Sequence, residues 1–371
     1  MSHPYRSLPH SAFWRRSVAR PPMGAVDPVA GFSLRIGRNT RVATAGSCFA
    51  QHIARYLASA GLNYHVAEPG HPVLPEDLRR KHGYGTFSAR YGNIYTARQL
   101  RQLMERAYGS FVPQEPAWVD ADGTVRDPFR PGVQPGGFIS VREMELDRAQ
   151  HLAAVRRLFE TLDVFVFTLG LTECWESHAD GAVFPLCPGV EGGAFDPARY
   201  DFRNQDVPEV VGDMSAFLDA LADVNPTASV ILTVSPVPLM ATARADTHVL
   251  AATTYSKSVL RVAAEMLAGA YGHVHYFPSY EIVTGPHAQG AYYAPDLRNV
   301  TEAGVAHVMR LFLAHAVEEG AAQVSGQISG QVSGEHPLAP LPAAEEAQSR
   351  HEDISRAFVE AECDEVALDR G

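Results

Sequence analysis

Ser47 and Cys48 are adjacent residues, and either side chain could act as the nucleophile of an acyl transfer. They follow a short apolar segment, 41–45, and Gly46, which permits a tight turn. Residues 49–57 then show helical periodicity. The pair is therefore predicted to lie where a buried strand meets a helix N-terminus, which gathers partial positive charge and free backbone N–H groups. The structural alternative is that Ser47 caps the helix and Cys48 fills a buried gap.

The elements that must position this pair are predicted to form an α/β fold, a doubly wound parallel sheet sandwiched by helices, with long loop insertions. Four apolar segments are nearly continuous rather than alternating, as buried parallel strands are. Helical stretches separate them, which is typical of doubly wound sheets. The predicted strands are 41–45, 164–169, 230–234 and 274–277, and the predicted helices are 49–60, 97–108, 141–161, 207–224, 253–270 and 300–315.

The segments outside this pattern indicate how the chain is divided. Residues 1–40 are rich in Pro and Arg and are expected to wrap the α/β domain, which spans 41–318. Residues 319–342 include three copies of a Gln-(Val/Ile)-Ser-Gly unit and are expected to be a flexible linker. Residues 343–371 are expected to be an acidic helical tail that binds a protein partner. Within the domain, 108–141 and 175–203 lack a clear period and are expected to be insertions that shape a pocket.

Composition excludes several classes of function. The formal net charge of −11 argues against nucleic acid as a partner. No apolar run approaches the length of a membrane span, and no secretory signal is recognisable, so cytoplasmic residence is expected. The 4 cysteines and 16 histidines show no metal-site spacing. We therefore expect neither a metal nor an organic cofactor.

Residues 46–50, Gly-Ser-Cys-Phe-Ala, match the name-giving motif of the GSCFA family, and the chain resembles that family from residue 3 to about residue 315. Segments 233–239 and 276–281 also resemble it. The family's domain is distantly similar to the SGNH (GDSL-like) hydrolases. The resemblance implies an SGNH hydrolase-like α/β domain over 41–318, with a nucleophile in the first motif.

The resemblance leaves the nucleophile open. In SGNH hydrolases the first block reads Gly-Asp-Ser, and a comparison without gaps places Cys48 on the catalytic Ser. A shift of one residue would make Ser47 the nucleophile instead. A helix N-terminus can lower a thiol pKa, which slightly favours Cys48. Ser47 would need a base within hydrogen-bonding reach.

The second and third blocks of SGNH hydrolases supply the oxyanion donors. The resemblance makes Gly92 a backbone donor and Asn93 a side-chain donor, although a glycine turn before the next helix explains Gly92 equally well. Thr172 stands where the third block has Asn, and its hydroxyl could donate to an oxyanion. Glu173 beside it could be a general base, an orienting group or a solvated carboxylate.

The last block of SGNH hydrolases reads Asp-x-x-His, and here Asp296 is present while Asn299 replaces the histidine. A Ser-His-Asp triad in its usual layout is therefore absent. Asn299 is expected to cap the final helix together with Glu302. His287, on the loop before Asp296, is the first-ranked replacement base. Arg298 could hold an anionic or sugar substrate, or form a salt bridge with Asp296.

Two functions remain open at this stage. The first is an esterase or O-acyltransferase that acts on an acylated carbohydrate or a similar small ester. The second is a binding or scaffold protein that keeps an SGNH-like cleft without hydrolysis, which the replaced histidine and the substituted Asn at Thr172 both favour.

Overall fold

The computed structural model of the protein describes residues 3–322. Within this range the strands are β1 (Val42–Gly46), β2 (Trp118–Val119), β3 (Val125–Arg126), β4 (Val164–Leu169), β5 (Glu173–Ser177), β6 (Val183–Phe184), β7 (Tyr200–Asn204), β8 (Ser229–Val234) and β9 (Val274–Tyr276). The helices are α1 (Phe49–Ser59), α2 (Glu76–Lys81), α3 (Ala97–Tyr108), α4 (Val141–Thr161), α5 (Val207–Val224), α6 (Val249–Ala270), α7 (Ser279–Thr284) and α8 (Glu302–Ala316).

A parallel sheet in the order β1-β4-β8-β9 forms the centre of the fold. These are the four predicted strands, with ends that differ by no more than one residue. Tyr64 adds a parallel bridge on the outer side of β1, where the His65 N–H donates to the Val42 carbonyl at 2.8 Å. The chain therefore leaves β1 toward one side, at Tyr64, and returns on the other side as β4.

Helices cover both faces of this sheet, as the sequence predicts. Alternate residues of β4 point to opposite faces, so Phe165 and Phe167 pack in one apolar cluster while Val164 and Val166 pack in another. The first cluster contains residues of α3, α4, α5 and α6, and the second contains residues of α1, α7 and α8. Burial on both faces explains why these strands are continuously apolar.

The second expected insertion forms a small sheet rather than an irregular loop. Strands β6, β5 and β7 pair antiparallel, and the ring centroids of Trp175 and Phe202 lie 5.6 Å apart. Phe184 and Tyr200 make a similar contact at 5.7 Å. The strands are short and are separated by Pro and Gly, which hides their period in the sequence.

Two helix starts differ from the sequence prediction. Helix α6 begins at Val249 rather than at 253, because the His248 side chain accepts from the Leu250 N–H and caps the helix. Helix α8 begins at Glu302, and its cap is Thr301, whose side chain accepts from the Gly304 N–H. The predicted cap by Asn299 is therefore wrong.

Residues 3–40 lie partly against α8. The Ile36 N–H donates to the Ala316 carbonyl at 2.7 Å, and His307 Nε2 lies 3.0 Å from the Val26 carbonyl oxygen. The repeats and the acidic tail, at 323–371, lie outside the described residues. None of the helices within residues 3–322 combines the length and apolar character that a bilayer crossing requires.

Candidate active site

The turn between β1 and α1 requires glycine at position 46. Gly46 has a φ of 139°, and a Cβ there would lie 2.5 Å from the Thr168 carbonyl oxygen. The next residue, Ser47, donates its N–H to that same oxygen at 3.4 Å and accepts from the Ala50 N–H at 2.8 Å. The close approach of β4 and the first turn of α1 thus fix where Ser47 and Cys48 stand.

Three segments that are far apart in sequence meet at this turn. The Ile94 N–H, directly after Asn93, donates to the Gly46 carbonyl at 2.9 Å. The Gly170 N–H donates to the Tyr95 carbonyl at 3.0 Å, and a Cβ on Gly170 would lie 3.2 Å from the Ser47 Cβ. Because the sheet order reverses between β1 and β4, this is the topological switch point, where open α/β sheets form their ligand crevice.

The two candidate nucleophiles differ in accessibility. Ser47 is only 4% exposed, and its Oγ is buried without a hydrogen-bond partner among the described residues. Cys48 is half-buried and lines a cavity of about 570 Å³. A ligand in this cavity therefore meets Cys48 directly.

Apolar and cationic side chains line most of the cavity beside Cys48. The apolar wall includes Phe49, Ala54, Ala58, Val66, Pro69 and Val237. The charged lining residues are Arg55, Glu76, Arg79 and Arg80. The cavity is thus suited to a ligand that has both an apolar and a polar part.

His52 is a site residue that the sequence analysis did not assign. It lies four residues after Cys48, on the same face of α1, and lines the same cavity. Burial, helped by Arg55, lowers the pKa of His52 to about 4. The ring is therefore neutral at pH 7. The spacing of four within a predicted helix was the signal that could have identified it.

Gly92 and Asn93 lie on the loop that packs against the β1–α1 turn. Gly92 has a φ of 68°, and a Cβ there would meet nothing within 4 Å, so the turn alone accounts for the glycine. Asn93 is buried, and its carbonyl accepts from Gln99 Nε2 at 2.8 Å. Gln99 also accepts from the Tyr95 N–H and thereby fixes the loop beside Ser47.

Thr172 and Glu173 are engaged in other contacts. The Thr172 hydroxyl donates to Asn204 Oδ1 at 2.6 Å, so its proton points away from an oxyanion in this arrangement. Glu173 begins β5 and accepts from the Thr242 hydroxyl at 2.7 Å. Burial raises the pKa of Glu173, against these hydrogen bonds. The structure thus connects both residues to the second sheet, and Gly170 is the residue of this strand end that reaches Ser47.

The Asp296 loop reaches the Cys48 cavity through Asn299. Asp296 is exposed and accepts from the Arg298 N–H and the Asn299 N–H, each at 3.0 Å, and from the Asn299 side-chain amide. Asn299 lines the cavity that contains Cys48. Arg298, between them, is 9% exposed. Asp296 therefore orients Asn299 rather than a histidine.

His287 lies in a different cavity, of about 610 Å³, which it lines with residues of the N-terminal segment such as Trp14 and Met23. Its ring centroid lies 6.4 Å from that of His307. Burial lowers the pKa of His287, against a hydrogen bond with the backbone of Ile282. This cavity shares no lining residue with the one beside Cys48, so the structure does not bring His287 to the candidate nucleophiles. Within residues 3–322, no three His, Cys, Asp or Glu side chains are grouped as a metal site would require.

Comparison with known proteins gives one match. The family model of the GSCFA family matches residues 41–312, which is most of the chain and includes every candidate residue discussed above. No curated protein and no solved structure matches the chain.

Proposed function

The chain belongs to the GSCFA family, and we propose that it is an acyl-transfer enzyme, an esterase or O-acyltransferase with an SGNH-like domain. Its substrate is an acylated carbohydrate or a similar small ester. The observation that carries the proposal is the position of Cys48, which is half-buried at the N-terminus of α1 and opens into a cavity at the switch point of the sheet. Cys48 is the nucleophile in this proposal, and Ser47 packs behind it.

In the proposed reaction the Cys48 sulfur attacks the acyl carbon, and the carbonyl oxygen becomes an oxyanion. Backbone N–H groups of the β1–α1 turn receive this oxyanion, together with the loop of Gly92 and Asn93. The alcohol leaves with a proton, and a thioester remains on Cys48. Water or an acceptor hydroxyl then attacks the thioester, which restores the thiol.

We propose His52 as the proton carrier in place of His287. Its ring is neutral at pH 7 and shares a helix face and a cavity with Cys48. Its Nδ1 accepts from Arg55 Nη2 at 3.2 Å, so the ring takes up the thiol proton once that hydrogen bond is released. A thiolate nearby would raise the pKa of His52, because opposite charges stabilise each other. The same ring could then protonate the leaving alcohol. Asp296 positions Asn299 at the rim of the cavity.

A binding or scaffold protein is the second candidate function. Two points favour it: the SGNH resemblance places Asn299, which donates to Asp296, where those enzymes have the catalytic histidine, and the Thr172 hydroxyl donates to Asn204. A protein of this class would keep the cavity but would not form an acyl intermediate.

The two functions are separated by incubation with p-nitrophenyl acetate, followed by mass mapping of acetylated peptides. We expect acetylation at Cys48, its loss in Cys48→Ala and its retention in Ser47→Ala. His52→Asn should slow the labelling about 100-fold, the usual contribution of a general base. Cys187→Ala is the control, because burial raises the pKa of the Cys187 thiol to about 11 and leaves little thiolate.

Acetylation at Ser47 alone would make Ser47 the nucleophile. If the folded protein is acetylated at neither residue, the enzyme hypothesis is contradicted and the scaffold hypothesis is supported. Circular dichroism of each variant shows whether it is folded.

A further inference from the structure

The three arginines that line the Cys48 cavity differ in whether a carboxylate lies beside them. Arg55, on α1, pairs with Glu302 at 3.2 Å, and Arg80, on α2, pairs with Glu76 at 3.5 Å. Arg79 lines the same cavity and has no carboxylate within 4.0 Å among the described residues. Its Nε is buried and has no hydrogen-bond partner there.

Arg79 as a whole is partly exposed, so its positive charge lies at the cavity wall with no carboxylate beside it among residues 3–322. An oxyanion in the cavity would supply the negative charge that Arg79 lacks among the described residues. The planar fork of arginine fits carboxylate and phosphate oxygens in pairs, which makes Arg79 better suited to these groups than to a neutral carbonyl.

The apolar part of the cavity wall indicates the chemistry of the rest of the ligand. Phe49, Val66, Pro69 and Val237 present apolar surface to the same space. A free inorganic anion would leave this surface in contact with water, whereas a ligand with an apolar body would cover it.

We infer that the cavity beside Cys48 binds a molecule that has an apolar body and a carboxylate or phosphate group, and that Arg79 holds this anionic group. The identification of this molecule as the acyl substrate rests on the proposed function. In that case the substrate is an ester whose acyl or alcohol part carries a negative charge, and the cavity favours it about fivefold over a neutral ester, which still reacts. Binding itself does not depend on catalysis.

The charge preference of the cavity is measured at Cys48 with iodoacetate and iodoacetamide, which are similar in size and differ by one negative charge. In both reactions the thiolate displaces iodide, so only an accessible thiol is needed. We expect the rate ratio of iodoacetate to iodoacetamide at Cys48 to exceed the ratio for glutathione about fivefold, because one opposite charge nearby has about this effect in water. Mass mapping of the full chain separates Cys48 from Cys187.

The variants assign this preference to one residue. Arg79→Met should reduce the ratio at Cys48 to the glutathione value, and Arg79→Lys should restore most of it. Arg142→Met is the matched control, because Arg142 is exposed on α4 and does not line the cavity, so the ratio should be unchanged. Protection of Cys48 by phenylacetate or by phenyl phosphate then shows which anionic group binds more tightly.

A ratio equal to that of glutathione in the unmodified protein would overturn the inference, and so would a raised ratio that Arg79→Met leaves intact. Failure of either reagent to alkylate Cys48 would contradict an open cavity at this residue. These results are independent of the acetylation experiment, because a protein without acyl-transfer activity would still show the charge preference. A raised ratio without acetylation would identify an anion-binding protein.

Discussion

Gly46 holds the β1–α1 turn in a backbone conformation that other residues adopt only at a cost. Its φ is 139°, and the space that a side chain would need is occupied by the Thr168 carbonyl oxygen. Residues with side chains rarely adopt such a conformation, and a contact with backbone cannot be relieved by a rotamer change. The position of the candidate nucleophile therefore depends on a residue that has no reactive side chain.

Gly46→Ala should lower the free energy of unfolding by about 2–4 kcal/mol, since it combines backbone strain with an atomic clash. It should also reduce acetylation of Cys48, because the turn must shift. Gly212→Ala is the matched control: Gly212 lies on α5, and a Cβ there meets nothing within 4 Å. That change should stabilise the protein by about 0.5–1 kcal/mol. Urea unfolding measures both values, and equal effects of the two changes would refute this account.

The sequence predicts the turn of the two candidate nucleophiles but only part of what surrounds it. Ser47 and Cys48 are recognisable because an apolar strand, a glycine and a helical period follow one another locally. Arg79 has no such signal, since the short helix α2 lies in a segment without a predicted element. Cavities form from side chains that meet only after folding. For the same reason His287 is close to Asp296 in sequence and lies in a different cavity from Cys48.

At the level of elements, a buried ion-pair cluster links the first insertion to α4. Asp127 is fully buried and pairs with Arg130 at 2.9 Å and with Arg148, on α4, at 2.8 Å. Arg130 also pairs with Asp147 at 2.9 Å. Burial alone would raise the pKa of Asp127, yet the arginines lower it well below its usual range. The carboxylate is therefore ionised, and it is shared by Arg130 and Arg148.

Asp127→Asn should lower the free energy of unfolding by about 3–5 kcal/mol, because it leaves Arg148 without its carboxylate partner and Arg130 with Asp147 alone. The control is Glu76→Gln, which removes a carboxylate of an exposed pair with Arg80. Its effect should remain below about 0.5 kcal/mol. Thermal unfolding compares the variants, and a loss under 1 kcal/mol for Asp127→Asn would show that the cluster contributes little.

Strands and helices with a regular apolar pattern were predictable from the sequence. The short strands of the second sheet were not. The four central strands and α3, α4 and α5 follow the predicted positions because burial on one side or on both imposes a continuous pattern. Strands β5, β6 and β7 pair with each other rather than with the central sheet. Their aromatic contacts, such as that between Trp175 and Phe202, join residues from different strands and leave no local period.

For the whole molecule, buried histidines make stability depend on pH, and His151 and His307 add to the effect of His52. His151 is fully buried beside Glu68, and His307 is 5% exposed. Burial lowers the pKa of each to about 4. In the unfolded chain both take up protons as the pH falls through about 6.5, whereas the folded state remains unprotonated until about pH 4. The unfolded state thus binds more protons across this range.

Stability should therefore be complete above about pH 6.5 and should fall as the pH drops from 6.5 to 4, by up to about 3 kcal/mol for each histidine. Urea unfolding at pH 7.5 and pH 5 measures the loss. His151→Gln should reduce the difference between the two pH values, while His10→Gln, at an exposed residue, should not. Stability that is constant over this interval would contradict the assignment.

The contact between Val26 and His307 joins positions that are 281 residues apart. On a ribosome that adds about 5–20 residues per second, Val26 is synthesised roughly 15 to 60 s before His307. Throughout that time the surface that α8 will cover stays open to other molecules. The second apolar cluster is thus completed only when α8 is made, and a nascent chain halted before α8 would leave that cluster exposed.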